Sequence, residues 1–167
     1  PLVTDDHEEI QQADKIIFPG QGEARSAMNY LKDKKLDRVL TQLRQPVLGI
    51  CLGMQLMCSH TEENDTTCLG IMDAKVKRFE GSFKIPHMGW NNITQLSGVL
   101  FAEIKEQDYL YFVHSYYVNI CEQTMAQAEY GNNFSVALQK NNFDAIQPHP
   151  EKSADCGIQI FNNFLKI

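Results

Sequence analysis

The 167 residues hold no C-x-x-C pair, no basic run longer than two residues and no long apolar stretch. Each absence removes a class. Five cysteines (Cys51, Cys58, Cys68, Cys121, Cys156) make an odd total without metal-type spacing, so neither a disulfide framework nor a zinc site is indicated. Reduced thiols in the cytoplasm are the expectation. On that reading the three N-x-S/T sequons at Asn64, Asn92 and Asn133 are chance matches. With 21 acidic against 15 basic side chains and a net charge of −6, the surface is not that of a nucleic-acid or anionic-membrane binder. No run reaches the roughly 20 apolar residues that a membrane span needs. Nor does a charged-then-apolar leader open the chain. Repeats, low-complexity tracts and linkers are missing too. A single domain over residues 1–167, without cofactor or metal, is therefore expected.

What is present gathers around Gly49-Ile50-Cys51-Leu52-Gly53-Met54-Gln55. An apolar run, Pro46-Val47-Leu48, precedes it, and helical spacing follows through Leu56, Met57 and Cys58. Strand, sharp turn and helix, with a cysteine at the turn and glycine two residues to each side, form a nucleophile elbow with Cys in place of Ser. Such a turn strains its central residue, so its flanks must be nearly free of side chain. The amides of a helix starting at Leu52 are expected to stabilise thiolate and lower the thiol pKa. A buried core cysteine is the plainer alternative.

Elsewhere, hydrophobic periodicity alternates helices and buried strands in the first half and fills the second half with strands. A short helix is expected over 8–13, a strand over 15–18, and helices carrying Ala24, Met28 and Leu31, then Leu36, Val39 and Leu40. His60 to Thr67 reads as a loop. Ile85-Pro86-His87-Met88-Gly89-Trp90-Asn91 reads as irregular, being rich in Pro, Gly and Asn. Strands are expected over 75–79, 109–113, 124–130, 134–139 and 143–147. A final helix, capped by Ser153, is expected to bury Ile158, Phe161 and Leu165. The fold class that follows is α/β: an open, mostly parallel sheet with flanking helices and antiparallel additions, flavodoxin-like and three-layered.

A cysteine nucleophile needs a base, and the base an orienting group. His7 and His60 lie in polar stretches, while His87 and His114 flank aromatic segments and suit structural roles. His149 stands at a strand end, where open α/β sheets present ligand-binding residues. Pro150 holds it extended, and Glu151 can then orient the imidazole, giving a Cys51–His149–Glu151 set. The oxyanion formed on attack needs donors. The Leu52 N–H supplies one, and the Pro19-Gly20-Gln21-Gly22 loop can supply a second, unless it is a plain tight turn.

Together, P-G-x-G at 19–22, G-I-C-L-G-M-Q at 49–55 and H-P-E at 149–151 resemble the class I (triad) glutamine amidotransferases. Pro86-His87-Met88-Gly89-Trp90-Asn91 and Tyr111-Phe112-Val113-His114-Ser115-Tyr116-Tyr117 resemble its histidine-biosynthetic members. The resemblance implies hydrolysis of glutamine to glutamate and ammonia through a thioester on Cys51. It implies that Gln55, His114, Ser115 and Tyr116 hold the substrate with Gly20, Gln21, Gly22 and Leu52. It further implies a (β/α)8-barrel cyclase partner docking on Pro86, His87, Met88, Gly89 and Trp90. Two departures stand out: the family's opening strand and helix are absent from this sequence, and Pro148 occupies a position usually held by Phe. Two alternatives remain open, a docking-only subunit without turnover and the glutaminase of another pathway.

Overall fold

A computed structural model describes residues 1–167. Its sheet is built outward from a strand with no exposed face. Strand β2 (Val47–Cys51) has Val47 and Leu48 fully buried, pointing to opposite sides as strand alternation requires. It lies parallel to β1 (Ile16–Gly20) on one side and parallel to β11 (Phe143–Ile146) on the other. β1 forms one edge, and Ile17 on it is 45% exposed. Beyond β11 the sheet turns antiparallel except for one parallel pair, β5 (Lys75–Arg78) with β3 (His60–Thr61). β10 (Asn132–Lys140) pairs with β11, with β9 (Thr124–Tyr130) and with β8 (Tyr116–Val118). Next come β5, β3 and β4 (Thr66–Thr67), for nine strands in all. A separate antiparallel pair joins β6 (His87–Asn92) to β7 (Tyr109–His114).

Helices cover both faces. On one side α1 (His7–Gln12), α2 (Ala24–Asp33), α3 (Leu36–Thr41) and α4 (Leu52–Met57) pack on Val47, Leu138 and Ala145. Helix α2 buries Ala24, Met28 and Leu31, and the Glu23 carboxylate caps it by accepting from the N–H groups of Arg25 and Ser26. On the other side α5 (Ala154–Lys166) and the β6–β7 pair pack on Leu48, Ile50, Phe134 and Val136. An open sheet between flanking layers is the expected α/β arrangement, but the sheet is mixed and not mostly parallel, because the successive strands β9, β10 and β11 are joined by short turns and pair antiparallel. No helix is long and apolar enough to cross a membrane.

Four local expectations change. Residues 87–92 form a regular strand, because every residue of β6 finds a cross-strand partner in β7. Residues 60–67 contain the small β3–β4 hairpin. The last helix turns a different face inward: Gly157, Ile160 and Phe164 are buried, whereas Ile158 and Leu165 are exposed and Phe161 is half-buried. Gly157 sets that phase. A Cβ there would lie 1.9 Å from the Pro150 carbonyl oxygen, so the helix packs backbone to backbone on the turn before it. Ser153 stands at the N-cap of α5 as expected, but its side chain makes no capping bond. Its hydroxyl instead donates to the His149 carbonyl (2.6 Å) and accepts from the Tyr111 N–H (2.9 Å).

Candidate active site

Cys51 ends β2 with φ 54° and ψ −110°, a conformation that L-residues rarely adopt. Its glycine neighbours make the turn possible. A Cβ on Gly53 would lie 2.0 Å from the Phe18 carbonyl oxygen, and one on Gly49 would lie 2.8 Å from Met57 Sδ. Gly20 is register partner to Cys51, and a Cβ there would meet Leu52 Cβ at 2.8 Å and the Gly53 nitrogen at 2.9 Å. The P-G-x-G loop is thereby pressed against the start of α4.

His149 follows β11 in extended conformation (φ −101°, ψ 96°) and is buried. Its N–H donates to the Tyr111 carbonyl at 2.9 Å, and Ser153 holds its carbonyl, so the backbone is tied to β7 from both sides despite Pro148. The Nδ1 atom lies 2.7 Å from Glu151 Oε1, which leaves Nε2 as the ring nitrogen without a protein partner. Residues 150–152 form a 3-10 turn. The carboxylate therefore reaches the ring by chain reversal, not along a continued extended chain.

Cys51 and His149 open into one cavity of about 370 Å³. Gly20, Gln21, Gly22, Leu52, Gln55, His114, Ser115 and Tyr116 all line it. Thiol and imidazole make no direct hydrogen bond; the sulfur instead accepts from Gln147 Nε2 at 3.7 Å. The thiol is not activated at rest. Burial pushes Cys51 up to about 11, with the Glu151 charge adding to the effect and the Leu52 N–H and Gln147 amide opposing it. The expected lowering does not prevail because withdrawal of the sulfur from water outweighs the Leu52 N–H at the start of α4.

Glu63, Val113 and Lys152 also line the cavity, as does Pro86, which was assigned to a partner surface. Glu63 arrives from the β3–β4 turn, a segment whose polarity gave no sign of a site, and accepts from the Ala24 N–H at 2.8 Å. Gln147 was also missed, and only its place beside Pro148 and His149 at the end of β11 hinted at it. Of the remaining residues assigned to a partner surface, Met88 and Trp90 are 56% and 51% exposed, with Trp90 edge-on to Tyr111. Gly89, at φ 134°, lies between them. His87 points the other way and is buried.

Comparison with known proteins agrees with this geometry. A model of the glutamine amidotransferase class-I family matches residues 1–167. The chain is 51% identical to imidazole glycerol phosphate synthase subunit HisH of Bacteroides thetaiotaomicron, over 99% of this chain and 86% of that one. It is 45% identical to the subunit HisH of Pectobacterium atrosepticum, over 100% and 87%. Two crystal structures share the fold: a glutamine amidotransferase at TM-score 0.73 and 16% identity, covering 98% of this chain and 83% of that one, and a glutamine amidotransferase from Thermotoga maritima at TM-score 0.60 and 17% identity, covering 92% and 63%. The chain belongs to the class-I glutamine amidotransferase family, within its imidazole glycerol phosphate synthase subunit HisH group.

Proposed function

We propose that this chain is the glutaminase subunit of imidazole glycerol phosphate synthase, working in the cytoplasm as a heterodimer with the (β/α)8-barrel cyclase subunit. The observation that carries the reading is the convergence of the Cys51 elbow, the His149–Glu151 pair and the Gly20–Gly22 loop on one cavity. Identity of 45–52% to HisH subunits supports histidine biosynthesis over another pathway.

Glutamine enters with its side-chain amide toward Cys51 and its ammonium toward Glu63, the carboxylate on the cavity wall. The sulfur attacks the amide carbon as its proton passes to His149 Nε2, with the charge on His149 balanced by Glu151. The Leu52 N–H and the Gly20–Gly22 loop receive the oxyanion. Collapse breaks the C–N bond, His149 returns the proton to the departing nitrogen, and ammonia leaves toward the cyclase. Water, deprotonated by His149, then cleaves the thioester to glutamate and restores the thiol. A thiol that is neutral at rest makes His149 indispensable, because little thiolate exists until the base removes the proton.

Replacing Cys51 with Ala is expected to cut glutamate release, assayed with the cyclase subunit present, by at least about a thousandfold. Undiminished release would sink the reading. The neutral thiol and the missing Cys51–His149 hydrogen bond favour one second reading, a docking subunit without turnover. It predicts no glutamate release from the native complex.

A further inference from the structure

Behind the cavity wall lies a row of buried polar groups that the reaction above does not use. β6 and β7 set His87 directly opposite His114. His87 Nδ1 lies 2.9 Å from His114 Nε2, and His114 Nδ1 lies 2.7 Å from the Tyr116 carbonyl oxygen. That oxygen also accepts from Gln55 Nε2 at 3.2 Å. Gln55 donates as well to Gln147 Oε1 at 2.9 Å, and Gln147 donates to Cys51 Sγ at 3.7 Å.

The proton positions in this row are fixed by one group. A carbonyl only accepts, so His114 must carry its proton on Nδ1. Burial keeps both rings neutral, His87 down at about 4 and His114 at about 3. Neutral His114 then presents a lone pair at Nε2, and His87 must donate from Nδ1. His87 Nε2 is left to accept, and Asn91 Nδ2 faces it at 3.4 Å. The His87 ring cannot turn away from this role, being stacked between Tyr130 (centroids 4.1 Å, 20°) and Phe112 (4.9 Å, 22°).

An apolar ring would fill this space equally well, since Phe79, Phe112 and Phe134 crowd the same pair of histidines. A polar ring does something further. Without the His87 donor, His114 either leaves Nε2 unpaired in an apolar box or takes the other tautomer and releases the Tyr116 carbonyl. Releasing that carbonyl loosens Gln55 and the Ser115–Tyr116 wall, both of which line the cavity. We infer that His87 is a positioning residue for glutamine binding, acting through His114 on the Tyr116 carbonyl and Gln55; the inference rests on the glutaminase reading.

The test compares His87→Phe with His87→Asn in the complex with the cyclase subunit. Asn places an N–H close to the position of His87 Nδ1, and Phe fills the volume without a donor. His87→Phe is expected to raise KM for glutamine by about tenfold while changing kcat less, and His87→Asn to stay within about threefold of native. Nitrogen-15 NMR of His114 should show protonated Nδ1 and bare Nε2 in the native protein and in His87→Asn, with that pattern lost in His87→Phe. Equal losses in both variants, an unchanged KM in His87→Phe, or protonated Nε2 on native His114 would overturn the inference. The tautomer readout needs no turnover. A native complex that releases no glutamate thus counts against the glutaminase reading alone.

Discussion

At Cys51 the fold imposes two conditions that oppose each other. A positive φ at the end of β2 puts the sulfur at a strand-to-helix turn beside the Leu52 N–H, and burial of that turn disfavours the charged thiolate. On the proposed mechanism, Cys51 therefore stays protonated until His149 takes its proton. Asp144, on the same group of parallel strands, shows the other side of burial. Its carboxyl borders a second cavity of about 250 Å³, and burial raises it to about 6. The folded state therefore favours the protonated acid, and the associated stability is fully present below the unfolded value of 3.8 and lost as pH rises through about 6. Asp144→Asn, which mimics the neutral acid, should raise the melting temperature at pH 7.5 and not at pH 3.5. Calorimetry at the two pH values checks this, and equal shifts would contradict it. Cys51 and His149 were legible because glycine spacing and the restriction before Pro150 act locally, whereas the 3-10 turn that brings Glu151 to the ring was not. Asp144, Glu63 and Gln147 were not, since their surroundings come from segments distant in the chain.

Among the elements, α4 and β1 show how tightly the elbow is built. Gly53 in α4 has no room for a methyl group against the Phe18 carbonyl of β1. Because backbone opposes backbone there, the strand itself would have to move. Gly53→Ala should destabilise the protein by about 1–3 kcal/mol, read from the urea midpoint at unchanged slope. A cost under about 0.5 kcal/mol would show that β1 yields freely. Strands with sustained apolar character, such as β2 and β10, could be read from sequence. The strand β6 could not, because its Pro, Gly and Asn residues signal turns while pairing with aromatic β7 decides the outcome. The inward face of α5 was misread for a similar reason. Hydrophobicity favoured Ile158 and Leu165, but the close approach of Gly157 to Pro150 and the bonds from Asn163 to the Leu100 and Ala102 carbonyls rotate the helix.

On the scale of the whole molecule, one β6–β7 pair serves two faces. Its inner side carries His87 and His114 toward the cavity wall, and its outer side leaves Met88 and Trp90 in solvent. A half-exposed tryptophan beside an exposed methionine fits the centre of a protein interface. Trp90→Ala should weaken binding of the cyclase subunit by about 2 kcal/mol or more in titration calorimetry and leave the urea midpoint of the free chain almost unchanged. Loss of stability without loss of affinity would place Trp90 in the fold instead. Whether Cys51 is the nucleophile is tested by covalent labelling. An electrophilic glutamine analogue, applied to the complex with the cyclase subunit and followed by peptide mass spectrometry, should modify Cys51 alone, and His149→Ala should slow that labelling by about a hundredfold or more. Equal labelling of Cys51, Cys58, Cys68, Cys121 and Cys156, or labelling of Cys51 at the native rate without His149, would contradict the account.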